Sequence, residues 1–416
     1  MADSIRLLID GSAASGAGAG WTRVCELGRE LPMRAPQHEL AFVVRPRLRA
    51  QMEEIVAGSA AVISPSPRLG PAPTRVAWQL TRLPERARAF APDVVLSLFN
   101  ILAPRWPSPR PRLAVMVSNL APFSREIRRT FRLRARPRDV LLHRLTRAAL
   151  GSADLVVFQS RFSRATVTAD CAVGRHVVIP HIPPTIDLPP PAPAWSDGAP
   201  YVAVVANRYP YKRIETVVEA LARIEPDARP RLALVGTRAD PRYAGRLDRL
   251  VDALGLGHEI VDLGPLPHED ALALMAGAAA CIACSRFENL SRIPSEAMAL
   301  GTPLIASDIP SHREAAGSAA LYYRDGDAAA LATTMQGVLG DLSTRKRLIA
   351  AGNVRTEQAR RADPVGALLA ALEELSAASR PSSREQPRSP RSQHAPLHSC
   401  SNRPLHGVRS RPCPRA

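Results

Sequence analysis

Residues 285–310 read SRFENLSRIPSEAMALGTPLIASDIP and carry two glutamates eight positions apart, Glu288 and Glu296. An apolar run at 278–284 precedes them and predicts a buried strand, whereas the pattern at 295–300 predicts a helix. We therefore expect Glu288 on the loop that leaves a strand, and Glu296 in the first turn of the next helix. Both carboxylates would then face the carboxyl end of a parallel sheet, where open α/β folds bind ligands.

The helix start between the two glutamates predicts a seat for a phosphate, because its backbone N–H groups are free and the helix dipole is positive there. A carboxylate can accept two hydroxyl hydrogen bonds, so carboxylates beside a phosphate seat fit a ligand that carries both phosphates and hydroxyls. A nucleotide-sugar is such a ligand. The alternative interpretation is a solvated loop glutamate followed by a glutamate that the helix dipole favours.

The chain has 416 residues, which is too long for one ordinary hydrophobic core, so two domains are expected. Short apolar segments alternate with helical or irregular ones on both sides of a proline-rich break at 188–199, which we interpret as a linker. The expected strands are 5–10, 40–44, 94–98, 113–117, 155–158 and 177–179 before the break, and 201–206, 232–235, 260–263, 280–284 and 304–307 after it, followed by a short apolar patch at 320–323. This alternation predicts two doubly wound Rossmann-like α/β domains, 1–187 and 200–363. An amphipathic helix at 364–376 and a disordered basic tail at 377–416 complete the chain.

The formal net charge is +17, and the tail from residue 376 onward holds eight arginines and one glutamate. The folded part is therefore still strongly basic, which suits anionic partners such as sugar nucleotides or lipid phosphates. No alternation of aromatic and basic residues of the kind found in single-strand binders is visible, so we expect no nucleic acid partner.

Arg125–Arg147 is the most basic stretch before the tail, and apolar residues are interspersed among its arginines. It is a candidate contact with an anionic membrane or a polyanionic acceptor, with a solvated face as the alternative. No apolar run approaches the roughly 20 residues of a membrane helix, and the N-terminus enters a strand without a signal pattern. We expect a cytoplasmic protein, peripheral on the inner face of the plasma membrane if this stretch binds lipid. Cys281 and Cys284 lack a second close pair and are expected in the core, without a metal.

The stretch 285–310 resembles the signature of retaining glycosyltransferases of family 4, within the group 1 glycosyl transferases. That signature has two Glu separated by seven residues, followed here by Ala-Met-Ala, Gly-Thr-Pro and Ile-Ala-Ser-Asp. The resemblance implies a GT-B architecture, with an acceptor domain and a nucleotide-sugar donor domain facing across a cleft and a last helix that crosses back. It also implies metal-independent, hexosyltransferase-like transfer of a sugar, with retained configuration, to a hydroxyl of a glycan or lipid-linked acceptor. Polysaccharide or cell-envelope biosynthesis is the expected setting, and the nucleotide-sugar is a substrate, so no cofactor is expected.

By this resemblance Glu288 contacts the transferred sugar and Glu296 holds the ribose hydroxyls. Lys212 and Arg208 are expected to stabilise the leaving diphosphate. These cations belong to the motif YVAVVANRYPYKRIETVVEALA at 201–222.

The register of this motif does not decide which residue accompanies Lys212 as the second cation of the clamp. Asn207 stands where family members have arginine, and Arg208 is displaced by one position. Either residue is a candidate for the phosphate clamp, and Arg213 could supply the missing charge.

The remaining donor contacts are also taken from the resemblance. The β-phosphate is expected near the backbone of residues 289–292, where most members have Gly-Phe-Gly directly after the first glutamate and this chain has Asn289, Leu290 and Ser291, followed by Arg292. Leu266 is expected near the base. Gly18 and Gly20, in the glycine-rich turn after the first strand, are expected to approach the donor phosphates from across the cleft.

Two alternatives stay open. One is a different GT-B enzyme, either a sugar-nucleotide epimerase, which the glutamate spacing disfavours, or a phosphorylase, which the lack of a cofactor-lysine context disfavours. The other is a catalytically impaired GT-B protein that binds a polyanion or a membrane surface through its basic face. The displaced arginine of the clamp is the feature that favours this second alternative.

Overall fold

The computed structural model describes residues 4–16, 18–65, 72–124, 136–184 and 199–378. Three predicted features lie wholly or partly outside the described residues: the linker up to residue 198, the basic segment at 125–135, and the tail from residue 379. No helix of the described ranges is both long enough and apolar enough to cross a membrane.

The first half of the chain folds into a seven-stranded sheet in which every pairing is parallel, in the order β3-β2-β1-β4-β5-β6-β7. Its strands are β1 (Arg6–Asp10), β2 (Glu39–Val43), β3 (Ala61–Ile63), β4 (Val94–Ser97), β5 (Arg112–Val117), β6 (Leu155–Phe158) and β7 (His176–Val178). The six expected strands are confirmed. Strand β3 was not expected; it has three residues and is partly exposed.

The second half folds into a six-stranded parallel sheet in the order β10-β9-β8-β11-β12-β13. Its strands are β8 (Tyr201–Val205), β9 (Arg231–Val235), β10 (Ile260–Gly264), β11 (Ala280–Ala283), β12 (Leu304–Ser307) and β13 (Ala320–Tyr323). All five expected strands are confirmed, since each is a short apolar run bounded by turn residues, and the apolar patch at 320–323 forms β13.

Helices connect the parallel strands, as crossover connections require. In the first half they are α1 (Ala19–Arg34), α2 (Arg49–Val56), α3 (Ala72–Thr81), α4 (Leu83–Arg86), α5 (Arg136–Ser152) and α6 (Arg161–Thr168). In the second half they are α7 (Ile214–Leu221), α8 (Pro241–Ala253), α9 (His268–Gly277), α10 (Arg292–Ala299), α11 (Pro310–Ala316), α12 (Ala328–Gly340), α13 (Leu342–Arg361) and α14 (Pro364–Ala377).

Each sheet has a topological switch point, where the chain reverses the direction in which strands are added. The switch lies between β1 and β4 in the first sheet and between β8 and β11 in the second. Open α/β sheets bind ligands in the crevice at the carboxyl ends of such strands. The loops that follow β8 and β11 are therefore the first place to look for a ligand site.

The last helix, α14, returns to the first sheet. Its buried residues, among them Val365, Leu368 and Leu372, belong to the same apolar cluster as Leu7 and Leu96 of β1 and β4. The amphipathic pattern at 364–376 thus reflects burial against the first half of the chain, although the helix follows the second half in sequence.

Candidate functional site

The loops at the carboxyl ends of the two sheets meet at Asn289. Its side-chain amide donates to the carbonyl of Val117 at 2.7 Å and to Oε1 of Gln159 at 2.9 Å, at the ends of β5 and β6. The Ser160 hydroxyl in turn donates to the Asn289 carbonyl at 2.9 Å. The loop that follows β11 is consequently fixed against the first half of the chain.

Lys212 and Glu288 form a partly buried ion pair at the switch point of the second sheet. Lys212 follows β8 and Glu288 follows β11, and Nζ lies 2.5 Å from Oε1, with 18% and 16% of the two side chains exposed. Burial alone would raise the pKa of Glu288, but the Lys212 ammonium outweighs it and the pKa lies below its usual value. The Glu288 charge conversely raises the pKa of Lys212 against the effect of burial. Both groups are therefore charged at neutral pH.

A polar chain supports Glu288 from β12 and α11. The Ser285 side chain hydrogen-bonds to Glu288, and the Ser307 hydroxyl donates to the Ser285 carbonyl at 2.5 Å. His312 is fully buried, and its Nδ1 lies 3.1 Å from the Ser307 carbonyl. Because burial lowers the pKa of His312, the ring is neutral and donates through Nδ1–H. The sequence DIPSH at 308–312 offered only a weak signal for these contacts.

The backbone at the expected phosphate seat offers three consecutive N–H groups, and phosphate binding there stays a prediction. The N–H groups of Asn289, Leu290 and Ser291 donate to no acceptor within the described residues. Helix α10 begins at Arg292, and the side chain of its N-cap, Ser291, makes no capping hydrogen bond. Pro294 lies in the first turn, as expected, because proline is tolerated there, but the helix begins three residues before the pattern at 295–300. Glu296 accordingly lies in the second turn.

Glu296 is only 4% exposed and is already bonded. Its Oε1 accepts from Nε of Arg292 at 2.9 Å, and the other two nitrogens of that guanidinium contact both carboxylate oxygens of Glu26, at 2.6 and 3.2 Å. Glu26 belongs to α1, in the first half of the chain. Glu26 and Glu296 together raise the pKa of Arg292 against the effect of burial. If Glu296 binds the ribose hydroxyls as predicted, its carboxylate must give up the hydrogen bond from Arg292.

Two further residues continue the network around Arg292. Nε of Arg23, in α1, lies 3.6 Å from a carboxylate oxygen of Glu26. Burial lowers the pKa of Arg23 to about 10; the positive charge of Arg292 lowers it further, whereas the negative charge of Glu26 acts in the opposite direction. His181 donates from Nε2 to the Leu290 carbonyl at 2.8 Å and accepts from Arg23. Burial and the neighbouring arginines hold the pKa of His181 well below its usual value, so this histidine is neutral.

Arg208 does not contact Lys212 or Glu288, and its place in the phosphate clamp stays a prediction. Its side chain is 1% exposed and bonds to Asp262 in β10 and to the Gly236 carbonyl in the loop after β9. Asn207, the other candidate, is exposed, but its Oδ1 accepts from the N–H and hydroxyl of Thr237 at 2.8 and 2.9 Å. Sequence register alone could not predict which way either side chain turns.

The Arg213 side chain also forms ion pairs away from Lys212 and Glu288. Its backbone is left-handed, with φ 54°, and its guanidinium pairs with Glu215 at 3.2 Å and Asp325 at 3.5 Å. Of the predicted cationic side chains, the structure therefore brings only Lys212 to Glu288.

The glycines of the first turn have different local roles. Gly18 has φ 74° and a Cβ there would meet no atom within 4 Å, so it leaves an open approach to the start of α1. A Cβ on Gly20 would lie 2.9 Å from the Phe99 ring, so Gly20 allows close packing there. Leu266 is partly buried and packs against the core of the second sheet. Contacts of these three residues with a donor stay predictions.

Comparison with solved structures identifies the fold class of the protein. Sucrose-phosphate synthase of Thermosynechococcus elongatus superposes with a TM-score of 0.69 at 20% identity, over 89% of this chain and 99% of that one. HepE of Anabaena, solved in complex with UDP and glucose, superposes with a TM-score of 0.65 at 19% identity, over 90% and 100% of the two chains. At these identities the likeness shows the fold, which is GT-B, as expected.

Residues 189–355 match the model of the family described as glycosyl transferases group 1. The MMP α-(1→4)-mannosyltransferase of Mycolicibacterium hassiacum is 30% identical over 132 residues, which are 32% of this chain and 30% of that protein. The resemblance to group 1 glycosyltransferases is thereby confirmed for this part of the chain. Family 4 within the group stays a prediction.

Proposed function

We propose that the protein is a glycosyltransferase that moves a sugar from a nucleotide-sugar to a hydroxyl group of an acceptor. The observation that carries this proposal is the partly buried Lys212–Glu288 pair beside the open N–H groups of residues 289–291. These groups lie at the switch point of the second sheet, within the range that matches group 1 glycosyl transferases. The binding of UDP and glucose by HepE, which has the same fold, supports this donor class.

The proposed chemistry follows from the charges at the site. As the bond between the sugar and the diphosphate breaks, negative charge develops on the leaving phosphate. The Lys212 ammonium and the fixed backbone N–H groups stabilise that charge without reorganising. Glu288, held ionised by Lys212, accepts hydroxyl hydrogen bonds from the transferred sugar and fixes its position.

The finer assignments are part of the same proposal. We infer retention of the anomeric configuration from the family 4 signature at 285–310. A glycan or lipid-linked acceptor would bind to the first half of the chain, in polysaccharide or cell-envelope biosynthesis. The cationic clamp would serve in place of a metal, and the protein would act at the cytoplasmic face of the membrane. The polyanion-binding alternative rests on the displaced arginine of the clamp and on the basic segment, of which 125–135 lie outside the described residues, and the comparisons with known proteins give it no support.

A thermal-shift screen against UDP, GDP, dTDP and ADP tests the proposal. One of these nucleotides should stabilise the protein by about 2.7 kcal/mol at 100 times its dissociation constant. The Glu288→Gln variant should keep that shift and lose sugar transfer from the matching nucleotide-sugar, because the carboxylate touches the sugar and not the nucleotide. A wild-type protein that responds to none of the four nucleotides would contradict the proposed donor class.

A further inference from the structure

The described site balances its own charges before any donor is bound. Lys212 is neutralised by Glu288, and the two arginines Arg292 and Arg23 are neutralised by Glu26 and Glu296. A diphosphate that entered this arrangement unchanged would bring negative charge without a free cation to meet it. An inference about how the site accommodates that charge rests on the proposed function, because the diphosphate belongs to a nucleotide-sugar.

The cation that the sequence leads one to expect is missing from position 207. Asn207 is neutral, Arg208 is turned to Asp262, and Arg213 pairs with Glu215 and Asp325. Another positive side chain must therefore assist Lys212 if a diphosphate is to be held firmly.

Arg292 is placed to be that cation. It is the first residue of α10 and directly follows the three N–H groups that have no acceptor in the described part of the chain. Its side chain is therefore attached to the backbone next to the expected phosphate seat. The side chain is 6% exposed and is held between Glu296 of its own helix and Glu26 of α1. Glu296 is also the predicted ligand of the ribose hydroxyls, so a bound nucleotide would compete with Arg292 for the same carboxylate.

We propose that donor binding exchanges the partners of Arg292. The ribose hydroxyls take over Glu296, and the guanidinium leaves Glu26 and Glu296 for the diphosphate. Arg292 then replaces the arginine absent at position 207. Glu26, in the first half of the chain, is the residue that holds Arg292 away from the phosphate while the site is empty. No bond of the donor breaks in this exchange.

The test compares affinities for a nucleoside diphosphate and for its nucleoside by titration calorimetry, using the base that stabilises the wild type. Glu26→Gln keeps the size of the side chain but weakens its hold on Arg292. It should tighten diphosphate binding about fivefold, which corresponds to ~1 kcal/mol, and leave nucleoside binding unchanged. Arg292→Met should weaken diphosphate binding by about tenfold or more, again without weakening nucleoside binding. In the double variant, the gain from Glu26→Gln should disappear.

Glu314→Gln is the matched control. Glu314 of α11 accepts from the N–H groups of Arg161 and Phe162 at 2.6 and 2.8 Å, and so also joins the two halves of the chain. If this variant tightens diphosphate binding as much as Glu26→Gln, general loosening or charge removal explains the gain and the exchange is refuted. Diphosphate affinity that is unchanged or lower in Glu26→Gln refutes the exchange alone. Failure of the wild type to bind any nucleotide refutes the proposed function and the exchange together.

Discussion

A Lys212→Met variant is expected to lose sugar transfer by about 10³-fold, the upper range for removal of one preorganised electrostatic donor. It should also lose about 3 kcal/mol of folding stability, because Glu288 would keep a partly buried charge without its partner. Methionine preserves much of the packing volume, so the loss is assigned to the charge. Denaturant unfolding and transfer assays measure the two effects separately.

The chain supplies a control, since Lys212 and Lys346 are its two lysines. Lys346 lies exposed on α13, and Lys346→Met should change stability by less than about 0.5 kcal/mol and leave transfer unchanged. The double variant Lys212→Met with Glu288→Gln removes both charges and should recover most of the stability while staying inactive. A single Lys212→Met variant that transfers sugar at the wild-type rate would exclude Lys212 from the clamp.

The pH dependence of stability gives a second readout of the same pair. Because the folded pKa of Glu288 is lowered, its contribution is present above the ordinary glutamate pKa of about 4.3 and is lost as pH falls through the folded value. The raised folded pKa of Lys212 makes its contribution present below about 10.4, and that contribution is lost at still higher pH. In Lys212→Met, burial would instead raise the pKa of Glu288, so the deficit in stability should shrink as pH falls. A deficit independent of pH would indicate lost packing.

The location of Lys212 and Glu288 at one edge of the sheet could be predicted from sequence, because the ends of the strands determine that edge. Each residue follows an apolar run, and parallel strands place their carboxyl ends at one edge. The turn of Arg208 towards Asp262 could not be predicted, since both a cleft-facing and an inward side chain fit the same local sequence. Contact of Glu26 with Arg292 joins helices 266 positions apart, and no local pattern encodes it. The sequence thus defined the edge of the sheet where the site lies, but not which charges meet across it.

A Gly236→Ala variant is expected to lose about 4 kcal/mol of folding stability, combining the cost of strained backbone with that of overpacking. Gly236 follows β9 with φ 134°, a conformation that side chains other than glycine rarely adopt. A Cβ at this position would lie 2.6 Å from the carbonyl carbon of Ala206 and 2.9 Å from the nitrogen of Asn207. These are backbone atoms, so no side-chain rotation relieves the clash.

The displaced backbone would be that of the loop between β8 and Lys212. Transfer should therefore fall even in the fraction of Gly236→Ala that remains folded, because Lys212 must meet Glu288 closely to act. Gly337→Ala is the matched control: Gly337 is exposed on α12, a Cβ added there would meet no atom within 4 Å, and the substitution should add about 0.5 to 1 kcal/mol of stability. Equal unfolding free energies for the two variants would show that the loop after β8 can move away from the added Cβ at little cost in stability. The contact between β9 and this loop would then not be what positions the cation.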